Sequence, residues 1–239
     1  VATEMYSAGI DRLTHQPLSF SVSETTEGVH IHIIDAELMG KGEKEKKDLY
    51  IEGIQNNGII NHYEYIINSE GTIEIRHVLK PEGKMPLWFP RIGLTLTVSD
   101  ALDQVKWYGR GPQENYPDRK TGYPTGIYAS TVQAMYEPYL MPQDYGLRTD
   151  VRWLQLTTDK GIGLQFKMNE WFNFNIYPYS TDNLTKAMYT YQLQKQKGMT
   201  LNLDYATTGV GCTARGVFGA YKAMPQEYRR TISIRPMMK

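Results

Sequence analysis

Short runs that alternate apolar and polar residues recur along this chain, and they constrain its fold more than any single motif. "LSFSVSE", "GVHIHIID", "KDLYIEGI", "INHYEYIIN" and "GTIEIRHVLK" all keep a period of two, the repeat that sends successive side chains to opposite faces of a strand. "NNG" at 56–58 and "NSEG" at 68–71 are short enough to close hairpins. "RIGLTLTVS", "QVKWYG", "DVRWLQLTT", "GIGLQFKM", "WFNFNIY", "MTLNLDY" and "RTISIRP" continue the pattern, with Asp159-Lys160-Gly161 at a further hairpin turn. Only "STDNLTKAM" reads as a helix start, with Ser180 or Thr181 as N-cap. About a dozen strands with almost no helix predict an all-β, antiparallel sandwich. No linker divides residues 1–239, so a single domain is expected.

Composition narrows the function. Lys plus Arg and Asp plus Glu both total 26, so the basic excess usual in nucleic-acid binding is missing. No apolar run is long enough to cross a bilayer. Cys212 is the single cysteine and cannot form an internal disulfide, which leaves the compartment unspecified. The run "GKGEKEKKD" at 40–48 lacks apolar residues and reads as a solvated loop. Eighteen tyrosines stand against six phenylalanines. A flat face with a hydroxyl handle suits half-exposed strands and sugar surfaces alike. The chain opens at Val1 inside a polar segment and reads as a fragment of something longer.

Few side chains offer chemistry. His30 and His32 project from one strand face, but a zinc site needs three or four ligands, and no further ligand sits at a complementary spacing. "GVGCTA" at 209–214 formally fits a dinucleotide fingerprint. The amphipathic helix and second parallel strand that the fingerprint requires do not follow. No nucleophile elbow occurs. Glu114 and Asp118, four apart in "WYGRGPQENYPDRKTGYPTG" at 107–126, could be weighed as a glycosidase pair. Arg110 and Arg119 in the same segment argue instead that both carboxylates are ion-paired, whereas a general acid needs a raised pKa. The stretch is expected to be a rigid corner.

These residues also carry a resemblance. "VKWYGRGPQENYPDRKTGYPTGIY", "YEPYLMPQDYGLRTDVRWLQLT" and "GIGLQF" closely resemble the C-terminal, small-chain-like domain of family-2 β-galactosidases. Trp107, Gly109, Gly111, Pro112, Glu114, Asn115, Tyr116, Asp118 and Arg119 match the first motif. Pro138, Tyr139, Pro142, Asp144, Gly146, Arg148 and Arg152 match the second. The similarity continues through "FNFNIYPYSTDNLTKA" and "LNLDYATTGVG" and is only general over the first hundred residues.

The resemblance implies the twisted supersandwich shared with galactose mutarotases, clipped at its N-terminus. It also implies that the catalytic glutamates and the Mg²⁺ of a retaining β-galactosidase belong to a central (β/α)₈ barrel absent here. No catalytic residue, metal or cofactor is then expected in this segment. Its partners would be a β-galactoside or other carbohydrate and the preceding domains of the same polypeptide, with homo-oligomerisation of the parent left open. Family members stack a tryptophan on substrate at a position falling near Gly216, which leaves Arg215, Phe218 and Tyr221 as substrate-binding candidates. Two other readings stand beside this one. The chain is a stand-alone carbohydrate-binding module, or a mutarotase-like epimerase, for which a histidine and a carboxylate would have to share a cleft.

Overall fold

The computed structural model describes residues 9–39, 57–211 and 216–238. Within them eleven strands, all paired antiparallel where their registers are defined, carry nearly all regular structure. The all-β expectation therefore holds. Among the described residues no helix is long and apolar enough to cross a membrane. The charge run at 40–48 and the strand expected at 47–54 lie outside the described residues, as does Asn56 of "NNG". The strands fall into two compact units.

The first unit comprises residues 1–90 and 222–233. Here β1 (Thr14–Thr25), β2 (Gly28–Leu38), β3 (Gly58–Ile67) and β4 (Ile73–Glu82) follow one another as hairpin neighbours. Residues 228–233 of β11 (Tyr228–Met237) also belong to this unit. "NSEG" closes the β3–β4 hairpin as expected: Asn68 Oδ1 accepts the amides of Glu70 and Thr72, both at 3.0 Å. Ala36, Leu38 and Ile60 form a small buried cluster with Leu18 and Ile34 against it. β1 stays exposed over most of its length.

The second unit comprises residues 91–221 and 234–239. Its sheet runs β5 (Arg91–Val98), β10 (Met199–Thr207), β9 (Gly163–Tyr177), β8 (Arg148–Thr157), β6 (Gln104–Arg110) and β7 (Thr125–Thr131). "GIGLQFKM" and "WFNFNIY" are one strand rather than two. Lys167, Asn169, Glu170 and Trp171 in the middle of β9 are exposed, and that polar interruption looks like a break in sequence. β7 was not anticipated, because Gly126 and Ser130 dilute its apolar pattern. The helix is α1 (Thr181–Lys186), capped by Ser180, whose side chain accepts the Asn183 amide.

β10 departs most from simple amphipathicity. Met199 through Tyr205 are all buried, so its alternating polar residues face protein instead of water. Each must then be hydrogen-bonded. Asn202 accepts from Thr95 Oγ1 at 2.8 Å and donates to Asn175 Oδ1 at 2.8 Å and to the Tyr177 hydroxyl at 3.1 Å. The apolar faces of β8, β9 and β10 bury Leu154, Phe174, Leu201 and Leu203 completely.

Candidate functional site

The 107–126 segment leaves the end of β6 as a tight corner. Trp107 is fully buried, donates Nε1–H to the Arg110 carbonyl at 3.0 Å, and packs against Tyr128 and Phe174. Gly111 must be glycine. A Cβ there would sit 2.8 Å from the Tyr128 ring and 3.0 Å from Trp107.

Glu114 is the buried centre of the corner. One carboxylate oxygen accepts Arg119 Nη2–H at 2.6 Å and the Tyr139 hydroxyl, which is closer still. The other accepts the Tyr116 hydroxyl at 3.1 Å and the Gly146 amide at 2.8 Å. Burial alone would raise its pKa, but the bonds from Tyr139, Gly146, Arg119 and Tyr116 outweigh it and hold the carboxyl below its ordinary range. A carboxylate saturated this way is neither a proton donor nor a nucleophile.

Asp118 is held differently from the expected arginine pairing. Its two oxygens accept the backbone amides of Val210 at 3.0 Å and Gly211 at 2.7 Å. A Cβ at Gly209 would lie 2.3 Å from the Asp118 carboxyl carbon, so this approach requires glycine. Gly211 takes φ 67°, the left-handed region open to glycine. The "GVG" that formally resembles a phosphate fingerprint is thus an anion cradle already filled by an internal carboxylate. The Gly209 amide donates to the Tyr221 carbonyl at 2.9 Å, which ties Tyr221 to the corner through Gly209.

Arg110 pairs with Asp150, not Asp118. Asp150 accepts Arg110 Nε–H at 2.5 Å and Lys120 Nζ–H at 2.8 Å. It occupies φ 54° where the β8–β9 register shifts, a bulge that turns its side chain toward both cations. Burial raises its pKa, and the bonds from Lys120 and Arg110 more than reverse this, lowering it. Nothing in its sequence setting singled Asp150 out.

A second polar cluster lies across β5, β9 and β10. Asp204 is 1% exposed and accepts Arg91 Nη2–H at 3.0 Å and the Thr207 hydroxyl at 3.0 Å. Burial nonetheless pushes its pKa up to about 6, with Arg91 opposing and Asp144 adding to the rise. Asp144 accepts from Asn175 at 2.9 Å and Arg91 at 3.3 Å.

Of the substrate-binding candidates, Phe218 (66% exposed) and Tyr221 (40% exposed) present their rings from the tethered loop. Arg215 and Cys212 lie outside the described residues. A Cβ at Gly216 would meet no atom of the described residues within 4 Å. A separate cavity of about 560 Å³ has walls from Tyr136, Tyr145 and Tyr179 and polar groups from Asp100, Asp103 and Gln196. Among the described residues the buried Tyr145 hydroxyl has no hydrogen-bond partner. In the first unit, His30 and His32, for which the sequence offered no further ligand, both approach Glu64. His15 approaches Asp35 and Glu37.

Comparison with known proteins agrees with the motifs. A family model described as beta galactosidase small chain matches residues 6–234. A β-galactosidase from Priestia megaterium is 38% identical over 147 residues, 62% of this chain and 14% of that protein. One from Vibrio cholerae is 31% identical over 207 residues, 86% of this chain and 18% of that protein. The chain thus spans about a sixth of the length of these relatives. Among solved structures, a GalM/aldose epimerase homologue from C. elegans gives a TM-score of 0.43 at 11% identity, covering 92% of this chain and 69% of that one.

Proposed function

The chain belongs to the β-galactosidase small-chain family, and from that premise we propose that it serves as a non-catalytic part of a longer β-galactosidase. In this reading it supports a substrate pocket whose catalytic carboxylates, and whose Mg²⁺, lie in another part of the polypeptide. The parent would be a retaining glycosidase acting on terminal, non-reducing β-D-galactose.

One observation carries the proposal: the two carboxylates of the first family motif are consumed by the fold. Glu114 is saturated by four donors. Asp118 is occupied by the backbone amides of Val210 and Gly211. Asp118, by holding Val210 and Gly211 next to the Gly209–Tyr221 bond, anchors the segment that offers the Phe218 and Tyr221 rings to a sugar, with Arg215 as a further hydrogen-bonding candidate. Stacking a sugar on an exposed ring needs a ring held in place, and the Asp118 tether supplies that hold.

The test is kinetic. Phe218→Ala and Tyr221→Ala in the full-length parent should raise KM for an aryl β-galactoside severalfold with a smaller change in kcat. If neither variant alters KM, the loop is not a pocket wall.

The tyrosine-walled cavity favours a second reading, a carbohydrate-binding module that works without hydrolysis. Its unpartnered Tyr145 hydroxyl and flanking Asp100, Asp103 and Gln196 suit sugar hydroxyls. Calorimetry of the isolated chain with galactose and lactose decides it: saturable heat lost in Tyr136→Ala supports binding there, and a flat titration removes it.

A further inference from the structure

Antiparallel register lines up four polar positions on one face of the first unit. His32 stands opposite Glu64, and Glu64 stands opposite Arg76. His30, two residues along β2, projects from the same face. The turn between β1 and β2 carries Glu27 beside it.

From this juxtaposition we propose that His30, His32 and Glu64 form a binding site for a divalent transition metal of the zinc class. One nitrogen from each histidine and one Glu64 oxygen lie within 4.8 Å of one another. His30 Nδ1 is 3.4 Å from Glu64 Oε1, and His32 Nε2 is 3.9 Å from the same oxygen. Two ligand atoms each about 2.1 Å from a tetrahedral ion are about 3.4 Å apart. The first pair already has that spacing. The second needs His32 to move by a fraction of an ångström, which a half-exposed side chain can do.

The surroundings suit this role. Arg76 Nη1 binds the other Glu64 oxygen at 3.1 Å and is itself held by Glu74 at 2.8 Å. That fixes the Glu64 carboxylate with Oε1 turned to the histidines. Among the described residues His30 Nε2 is buried with no hydrogen-bond partner, and the Glu27 carboxylate lies 3.9 Å from it. A histidine that ligates a metal through one nitrogen characteristically turns the other toward a carboxylate, and the His30–Glu27 approach matches that pattern. With neutral histidines, three carboxylates against one guanidinium leave the patch negative, as a dication requires. Two histidines with one carboxylate leave a fourth position to water. This departs from the expectation that the segment needs no metal.

The experiment titrates the full chain, free of any histidine tag, with Co²⁺ and Zn²⁺, following Co²⁺ visible absorption and Zn²⁺ calorimetry. One equivalent is expected to bind. His32→Ala and Glu64→Gln should each weaken binding at least about tenfold, and His15→Ala, in the other cluster with Asp35 and Glu37, should leave it unchanged. A second readout needs no substitution: the ring resonances of His30 and His32 should respond to Zn²⁺ while those of His15 and His77 do not. No saturable binding overturns the proposal. So does binding that follows His15 or is indifferent to His32 and Glu64.

Discussion

Replacing Glu114 with glutamine separates a structural carboxylate from a catalytic one, because the two roles predict opposite changes. The substitution is nearly isosteric, but one acceptor oxygen becomes an NH₂ donor. Each oxygen of Glu114 accepts two bonds, so two are lost whichever way the amide turns. A hydrogen bond to a charged group is worth about 1.5–3 kcal/mol. The less costly orientation puts the NH₂ toward Arg119 and Tyr139, since Arg119 is half exposed and regains water. The remaining two bonds lose their charge assistance. The balance is a destabilisation of about 3 kcal/mol, or a Tm lowered by roughly 10 °C for a chain of this size. Urea unfolding followed by circular dichroism measures it, with thermal scans as a check. A loss below about 0.5 kcal/mol, the range of an ordinary surface change, would refute the reasoning.

Acid should narrow the difference between these two chains. The folded-state pKa of Glu114 lies below its ordinary value of 4.5, so its stabilisation is complete above that pH and is lost as pH falls through the folded value. Unfolding curves at descending pH should show Glu114→Gln converging on the parent sequence; a constant gap would contradict the assignment. Gly209→Ala should drive the Asp118 carboxylate out of its cradle, since the added Cβ would meet both oxygens at 2.5 Å. Hydrogen exchange at Val210 and Gly211 should then quicken by about tenfold or more, and unchanged exchange would mean that the tether does not hold the loop.

Much of the fold was legible because one-sided strands write their burial into a period of two. The β3–β4 and β8–β9 hairpins and the Ser180 cap were all readable from local chemistry. β9 was not read as one strand, because a strand whose two halves meet different neighbours need not keep one apolar face. The polar face of β10 could be seen, but not that protein covers it, because Thr95, Asn175 and Arg91 come from distant segments. The corner was recognisable as ion-paired, and Glu114 does pair with Arg119, but Asp118 has no arginine partner among the described residues and takes backbone amides instead. Sequence proximity put Arg110 in the same segment as both carboxylates, whereas Arg110 pairs with the bulged Asp150 and Asp118 accepts the amides of Val210 and Gly211. Glu64 escaped notice for the same reason. Register, not spacing, brings it to His32.

Hydrolysis of an aryl β-galactoside by the purified chain, measured beside the full-length parent, tests the central claim most directly. The account predicts turnover by the parent and none above background by the chain. Turnover by the chain alone, abolished by Glu114→Gln or Asp118→Asn with the fold intact, would contradict it.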